Sequence, residues 1–396
     1  MKTFTVYNFG CRVNAAETNL FAQKLINDGY VPFDENCRDV LQNVSTDIPS
    51  RDAPMARLYH QKNESPDLIF INTCSITKKA NIESVGLIRR LQKKFPNSKI
   101  VVSGCANLKD VTKHDNVSIL DNAQKETYLD DLNCTYTHKI LDKFSHTNRF
   151  LLKIQSGCTA FCTYCTVPYK RFYLWSLPIE TAIDSVKKAV IDGYKEVIIT
   201  GVNLNQYAPG FSNLLSALLE QTNVSLISFG SIPINCIDDN LIKLFQKYPD
   251  RLQKFLHIPL QSGSDKILKL MKRNYTKKII LEKFELLKNL NTIKKLELLD
   301  ESKVINSQNK NIPPLSSKRG LGGDLNFGTD VIVGFPGESD KDFQETYDLC
   351  KQIGFTKIHV FKYSPRPGTV ARKLFLESKK LSKEIVKQRS AQLRKL

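Results

Sequence analysis

Cys158, Cys162 and Cys165 form a C-x3-C-x2-C run that packs three thiols into one short loop. Thiolates so closely spaced can hold three corners of one iron–sulfur cube. Most such clusters take four cysteines; no fourth cysteine lies nearby, so one iron is expected to stay open to a small molecule. An open iron on a reducible cluster can do chemistry as well as store an electron. Zinc is the rival occupant, but zinc sites usually pair C-x2-C units or recruit histidine, and no histidine stands between Asn148 and Leu256. Phe161 and Tyr164, inside the same run, are expected to shield the metal and tune it.

A second set is spread along the chain. Cys11, Cys74 and Cys105 each follow a predicted strand, two of them directly after a glycine, Gly10 and Gly104. Parallel strands of one sheet bring their carboxyl ends to one rim, where these three thiols could make another three-cysteine site. Simple packing of cysteines at strand ends is the alternative. Cys37, Cys134, Cys236 and Cys350 have no partner spacing, and Cys350 shares a helical face with Phe343, Tyr347 and Ile353, which reads as core. Among the six histidines only His257 lies in a motif-like run, 257–264, where structural and functional roles are equally open.

The elements that must position these residues follow from hydrophobic periodicity. Strand patterns at 3–9, 68–72 and 100–103 alternate with helical spacing at 17–27 and 82–94, which implies a parallel sheet covered by helices. The rhythm restarts at Phe150 after a polar linker at 135–147. Strands at 150–154, 196–200, 225–229, 255–260, 329–333 and 357–361 alternate with helices, giving about six β/α units. The expected fold class is α/β: an N-terminal open parallel sheet, then a partial (β/α)6 barrel. Loops at the carboxyl ends of such strands carry chemistry, and the 158–165 loop follows the first barrel strand. Gly201 with Asn203, and Gly334, mark turns after two other strands where a nucleotide-like cofactor would lie.

The domain boundaries expected are 1–140, with an insertion near 37–66; 148–375, with an insertion near 306–324; and a basic C-terminal helix at 376–396. Both insertions are polar and longer than ordinary connections. The net charge of +18 over 396 residues points to a polyanionic partner, nucleic acid above all, with a generally lysine-rich composition as the alternative. No apolar stretch is long enough for a membrane span, no signal peptide opens the chain, and ten cysteines without a disulfide pattern suit a reducing, cytoplasmic setting.

Taken together, the two cysteine sets resemble the methylthiotransferases of the radical S-adenosylmethionine superfamily, over about residues 1 to 375 less the insertions. The resemblance is carried by Cys158, Cys162 and Cys165; by Gly10-Cys11-Arg12-Val13-Asn14; by Asn72-Thr73-Cys74; and by Ser103-Gly104-Cys105. It implies two [4Fe-4S] clusters, an auxiliary one on Cys11, Cys74 and Cys105 and a radical-generating one on Cys158, Cys162 and Cys165. It also implies S-adenosylmethionine, cleaved reductively to a 5′-deoxyadenosyl radical, with Tyr164, Gly201, Asn203, Gln261 and Gly334 as the expected contacts, and a reducing electron donor protein. Within the family, 257–273 and 359–369 look most like the group acting on N6-threonylcarbamoyladenosine in tRNA, while Ser75 and Ile76 lean toward the isopentenyladenosine group. Two departures are expected to matter. Phe172-Tyr173-Leu174-Trp175 follow Arg171 where the family continues with glycine and charged residues, and the family's small TRAM-type RNA-binding β-barrel is expected to be missing after 375. The rival readings are an iron–sulfur RNA-binding protein without turnover, or an inactive shortened remnant.

Overall fold

A computed structural model describes residues 2–33, 65–75, 78–108, 115–130, 149–301, 324–378 and 381–396. Much of both expected insertions, the 135–147 linker, Cys37 and Cys134 lie outside the described residues. The chain divides into two compact units, Met1–Asn148 and Arg149–Leu396.

The first unit is built on a five-stranded parallel sheet ordered β2-β1-β3-β4-β5. Its strands are β1 (Thr3–Asn8), β2 (Val31–Pro32), β3 (Leu68–Thr73), β4 (Lys99–Gly104) and β5 (Val117–Ile119). β3 is central and every residue in it is buried, as expected of a parallel strand covered on both faces. Alternation sends Phe70 to one face, where it stacks on Phe21 of helix α1 (Arg12–Asn27) at 3.7 Å between ring centroids. Ile69 and Ile71 go to the other face and pack with Ile88 and Leu91 of helix α2 (Lys78–Lys94). Burying each such side chain stabilises the layer by roughly 1.5–3 kcal/mol. Helix α3 (Asn122–Asp130) completes the unit.

In the second unit six parallel strands follow one another in chain order. β6 (Arg149–Ser156), β8 (Glu196–Gly201) and β9 (Leu226–Phe229) form one sheet, edged by the short antiparallel β7 (Trp175–Ser176). β10 (Phe255–His257), β11 (Asn326–Val333) and β12 (Lys357–Lys362) form the next. Single parallel bridges, Ile227 to Leu252 and Ser231 to His257, link them, giving the partial barrel. The predicted 255–260 strand is shorter than expected: β10 ends at His257, Ile258 still donates to the Gly328 carbonyl at 2.8 Å, and residue-to-residue pairing with β11 resumes at Gln261, through a bridge to Val331. Gln261 has φ of 71° there while bonding to Asp330 and Ile332 of β11, so the segment before it is an irregularity of the ladder.

Helices α4 (Val167–Lys170), α5 (Ile179–Ile191), α6 (Phe211–Gln221), α7 (Asp239–Lys247), α8 (Asp265–Leu270), α9 (Lys277–Glu301), α10 (Asp340–Ile353), α11 (Val370–Glu377) and α12 (Lys383–Leu393) lie along this unit. Cys350 is buried on α10, as its face predicts. The basic C-terminal segment docks on the barrel: Arg389 of α12 is buried and pairs with Glu338 and with Asp340, the latter at 2.6 Å.

Candidate iron–sulfur and cofactor sites

The N-terminal triad is assembled by sheet register. Asn8 of β1 stands opposite Asn72 of β3, and Thr73 opposite Gly104 of β4. Cys11, Cys74 and Cys105 therefore leave three neighbouring strands at the same rim. Cys105 donates its N–H to the Thr73 carbonyl at 3.0 Å, which holds the Cys74 and Cys105 turns together. Gly10 lies so close to Cys74 that a Cβ at Gly10 would overlap the Cys74 sulfur. The Asn14 amide donates to the Phe9 carbonyl at 2.8 Å and to the Thr73 carbonyl at 2.9 Å, fastening the Cys11 turn to β3. Cys11 is the N-cap of α1, an end that favours negative ligands.

Beneath this rim lies a buried ion pair that composition and spacing did not indicate. Lys125 Nζ meets Glu17 Oε2 at 2.6 Å, with both side chains wholly shielded from water. Asn72 and Asn122 complete the network, donating to Glu17 at 3.2 Å and accepting from Lys125 at 2.9 Å respectively. The sequence signal was faint: Glu17 sits three residues after Asn14 on the inner side of α1, a charged residue among apolar neighbours.

The second triad is local. β6 carries an irregularity between Lys153 and Gln155 just before the cysteine loop. Gly157 then adopts φ of 86°, where a side chain would overlap the Tyr173 carbonyl. Each of the three sulfurs meets an N–H donor: Cys158 meets the Asn203 amide at 3.5 Å, Cys162 the Arg273 guanidinium at 3.3 Å, and Cys165 the Val167 backbone at 3.4 Å. Sulfurs met by N–H donors suit anionic, cluster-bound thiolates, whose potential such bonds set. Arg273 also donates to the Tyr275 hydroxyl at 2.8 Å. Burial disfavours its charge, yet Tyr164, Tyr275 and Cys162 hold the guanidinium above its ordinary value. Burial pushes the Tyr275 phenol up to about 12 and the Tyr164 phenol well above its usual range.

The expected cofactor contacts fall around this loop. Asn203 binds Cys158 directly, and its N–H donates at 2.8 Å to Gln155, which also packs where a side chain on Gly201 would stand. Tyr164 packs edge-on to Phe335 at 6.5 Å, beside Ile332 and Met271. Gln261 stands at the end of the β10 segment. At Gly334 the side-chain space is filled by Val386 of α12. Ser262, Gly263 and Ser264, in the same motif as Gln261, are tied to Thr346 and Asp342 of α10. Phe161, with φ of 46°, is exposed, as are Tyr169, Phe172, Tyr173 and Leu174. Among the described residues no disulfide forms and no helix is long and apolar enough to cross a membrane.

Family comparisons agree with this architecture. The Radical SAM superfamily matches residues 152–299, and the uncharacterized protein family UPF0004 matches 55–121. The threonylcarbamoyladenosine tRNA methylthiotransferase MtaB of Thermotoga maritima is 30% identical over 94% of this chain and 77% of its own length. Its Aquifex aeolicus counterpart is 32% identical over 98% and 86%. The chain belongs to the radical S-adenosylmethionine tRNA methylthiotransferases. A tRNA-2-methylthio-N(6)-dimethylallyladenosine synthase of Helicobacter acinonychis is 31% identical over 80% of this chain and 72% of its own length. Among solved structures, the radical S-adenosylmethionine methyltransferase TsrM from Kitasatospora setae matches with a TM-score of 0.60 and 12% identity, over 94% of this chain and 77% of that one; it is like this methylthiotransferase in fold. The family requires a [4Fe-4S] cluster and S-adenosylmethionine, and the donor set of the 158–165 loop fits them.

Proposed function

We propose that this methylthiotransferase adds a methylthio group to N6-threonylcarbamoyladenosine in tRNA, with S-adenosylmethionine as radical source and methyl donor. The observation that carries the proposal is the pairing of two cysteine triads, one with an N–H donor at every sulfur. A [4Fe-4S] cluster held by Cys158, Cys162 and Cys165 supplies, when bound, one-electron cleavage of S-adenosylmethionine and so hydrogen abstraction at an unactivated carbon. Asn203, Arg273 and the Val167 N–H fix and polarise the thiolates. Tyr164, Gly201, Asn203, Gln261 and Gly334 are proposed to line the S-adenosylmethionine site.

Cys11, Cys74 and Cys105 are proposed to hold a second [4Fe-4S] cluster that handles the sulfur, and a reducing protein to supply electrons. The basic charge suits phosphate contacts that position RNA without reading sequence. The exposed rings of Tyr169, Phe172 and Tyr173, next to the cysteine loop, suit stacking on unpaired bases. A cytoplasmic setting is proposed, since clusters held by free thiolates suit a reducing compartment.

A second reading, action on dimethylallyladenosine, is favoured by the likeness to the Helicobacter synthase. Mass spectrometry of tRNA nucleosides from cells lacking the gene separates the two. The expected result is loss of methylthiolated N6-threonylcarbamoyladenosine with accumulation of its parent nucleoside. Loss of the dimethylallyl derivative instead, with the threonylcarbamoyl one intact, would overturn the proposal.

A further inference from the structure

The barrel carries a polar array that neither triad uses. His257 of β10, Asp330 of β11 and His359 of β12 are the one group of three histidine, cysteine or carboxylate residues among those described whose ligand atoms all lie within 4.8 Å of one another. His257 Nε2 stands 3.0 Å from Asp330 Oδ1 and His359 Nδ1 stands 3.3 Å from the same oxygen. Register explains the convergence. His257 is opposite Gly328 and Asp330 is opposite His359, all on one face of three adjacent strands. Glycine is needed at 328, because a Cβ there would lie 2.6 Å from the Phe255 ring and 3.1 Å from His257.

That face is the one turned toward the cysteine loop. Ile332, two residues on from Asp330, packs with Tyr164 and Met271, while Phe327, on the opposite face, packs against Phe284 of α9. Asp330 Oδ1 is shut from solvent, and despite the two short distances it accepts no well-directed hydrogen bond. Two imidazole nitrogens therefore crowd a shielded carboxylate oxygen without a well-aligned bond, an arrangement that a further polar group can complete. Of the two rings His257 is mostly covered and His359 is 45% exposed, so the array is accessible through His359.

We propose that His257, Asp330 and His359 recognise the threonylcarbamoyl group of the substrate nucleoside. This rests on the reading of N6-threonylcarbamoyladenosine as substrate. The group offers hydroxyl and urea N–H donors for Asp330, and a carboxylate and a carbonyl to accept N–H bonds from the imidazoles. A dimethylallyl group offers neither and would set an apolar group against the two imidazoles and the carboxylate. Sites built to hydrogen-bond a substrate group reject analogues lacking it by factors as large as about 10⁴–10⁵. A metal bound by two histidines and one carboxylate is the competing explanation, and metal analysis of the wild type and of His359→Phe separates the two.

The test uses the full reconstituted chain and three anticodon stem-loop RNAs carrying N6-threonylcarbamoyladenosine, N6-methylcarbamoyladenosine or dimethylallyladenosine. Wild-type protein should prefer the first over the second by about a hundredfold or more in kcat/KM. His359→Phe and Asp330→Asn should collapse that ratio to within about threefold, with iron content confirming a folded, loaded protein. A ratio preserved in both variants overturns the inference, as does stoichiometric non-cluster metal in the wild type that His359→Phe removes. Wild-type turnover on the dimethylallyl RNA alone overturns the substrate reading itself, so the two failures are distinct.

Discussion

In the N-terminal unit Cys11, Cys74 and Cys105 come to one sheet rim because β1, β3 and β4 are neighbours, although long stretches of chain separate them. In the C-terminal unit Cys158, Cys162 and Cys165 share one loop. The first triad depends on the whole sheet, its register and the buried Glu17–Lys125 pair below it. The second depends on one strand end and the donors that reach it from Asn203 and Arg273. Both use the same local device: Gly10, Gly104 and Gly157 precede a cysteine with φ of 96°, 103° and 86°. Only glycine takes that conformation without strain, and it lets the following cysteine turn back toward its partners. A site assembled by topology should thus fail through the fold, and a site assembled by spacing through its own ligands.

Removing ligands gives the largest effect. Cys162→Ala is expected to abolish 5′-deoxyadenosine release, and Cys74→Ala to abolish methylthiolation. Each should lower iron by about four atoms per chain if each triad carries a full cube, and metal analysis of anaerobic samples checks it. If Cys74→Ala retains all the iron of the wild type, the equivalence of the triads is broken.

Glu17→Ala should come next, because it removes the carboxylate that faces the buried Lys125 ammonium at 2.6 Å. The expected destabilisation is about 3–5 kcal/mol, read by denaturant unfolding, with iron lost from the N-terminal triad. The corresponding glycine changes should differ in kind. Gly104→Ala pushes on the Thr73 backbone and Gly157→Ala on the Tyr173 backbone, so the first should loosen the sheet rim and the second only the cysteine loop. Hydrogen exchange would resolve where each opening occurs.

A subtler effect is expected at Arg273. Arg273→Gln weakens the charge-assisted bond to Cys162 and should make a cluster held by the 158–165 loop, as proposed, harder to reduce; redox titration followed by electron paramagnetic resonance reads the sign.

The smallest effect concerns the Ser264 turn that follows Gln261. Burial works against the Asp342 charge, but bonds from Lys266, Ser339 and Ser264 prevail and hold the carboxyl below its ordinary range. Its contribution is then present above the unfolded carboxylate pKa of about 4 and is lost as pH falls through the lower folded value. Asp342→Asn should cost about 1–3 kcal/mol at neutral pH, and the gap to wild type should close in acid unfolding curves.

The family and its fold were legible in the chain because the spacing of the cysteines is a local property. C-x3-C-x2-C needs no tertiary information to be read as a metal loop. The N-terminal triad needed one further step, the rule that parallel strands end at a common rim, and the sheet order β1-β3-β4 supplies the adjacency. The β10 boundary was misjudged because Ile258 and Leu260 continue an apolar pattern while the ladder is irregular before Gln261. Periodicity records which side chains are buried and is silent on whether the backbone stays paired.

By itself, the sequence determined the α/β class, the two cysteine sets and the family they point to, since each is written in residue type and short-range spacing. Only the tertiary structure decided that Arg273 reaches Cys162, that Lys125 pairs with Glu17, and that His257, Asp330 and His359 converge. Those contacts join residues from different strands and helices. Their meeting is fixed by sheet register and by the need to satisfy buried charge, which no window along the chain contains.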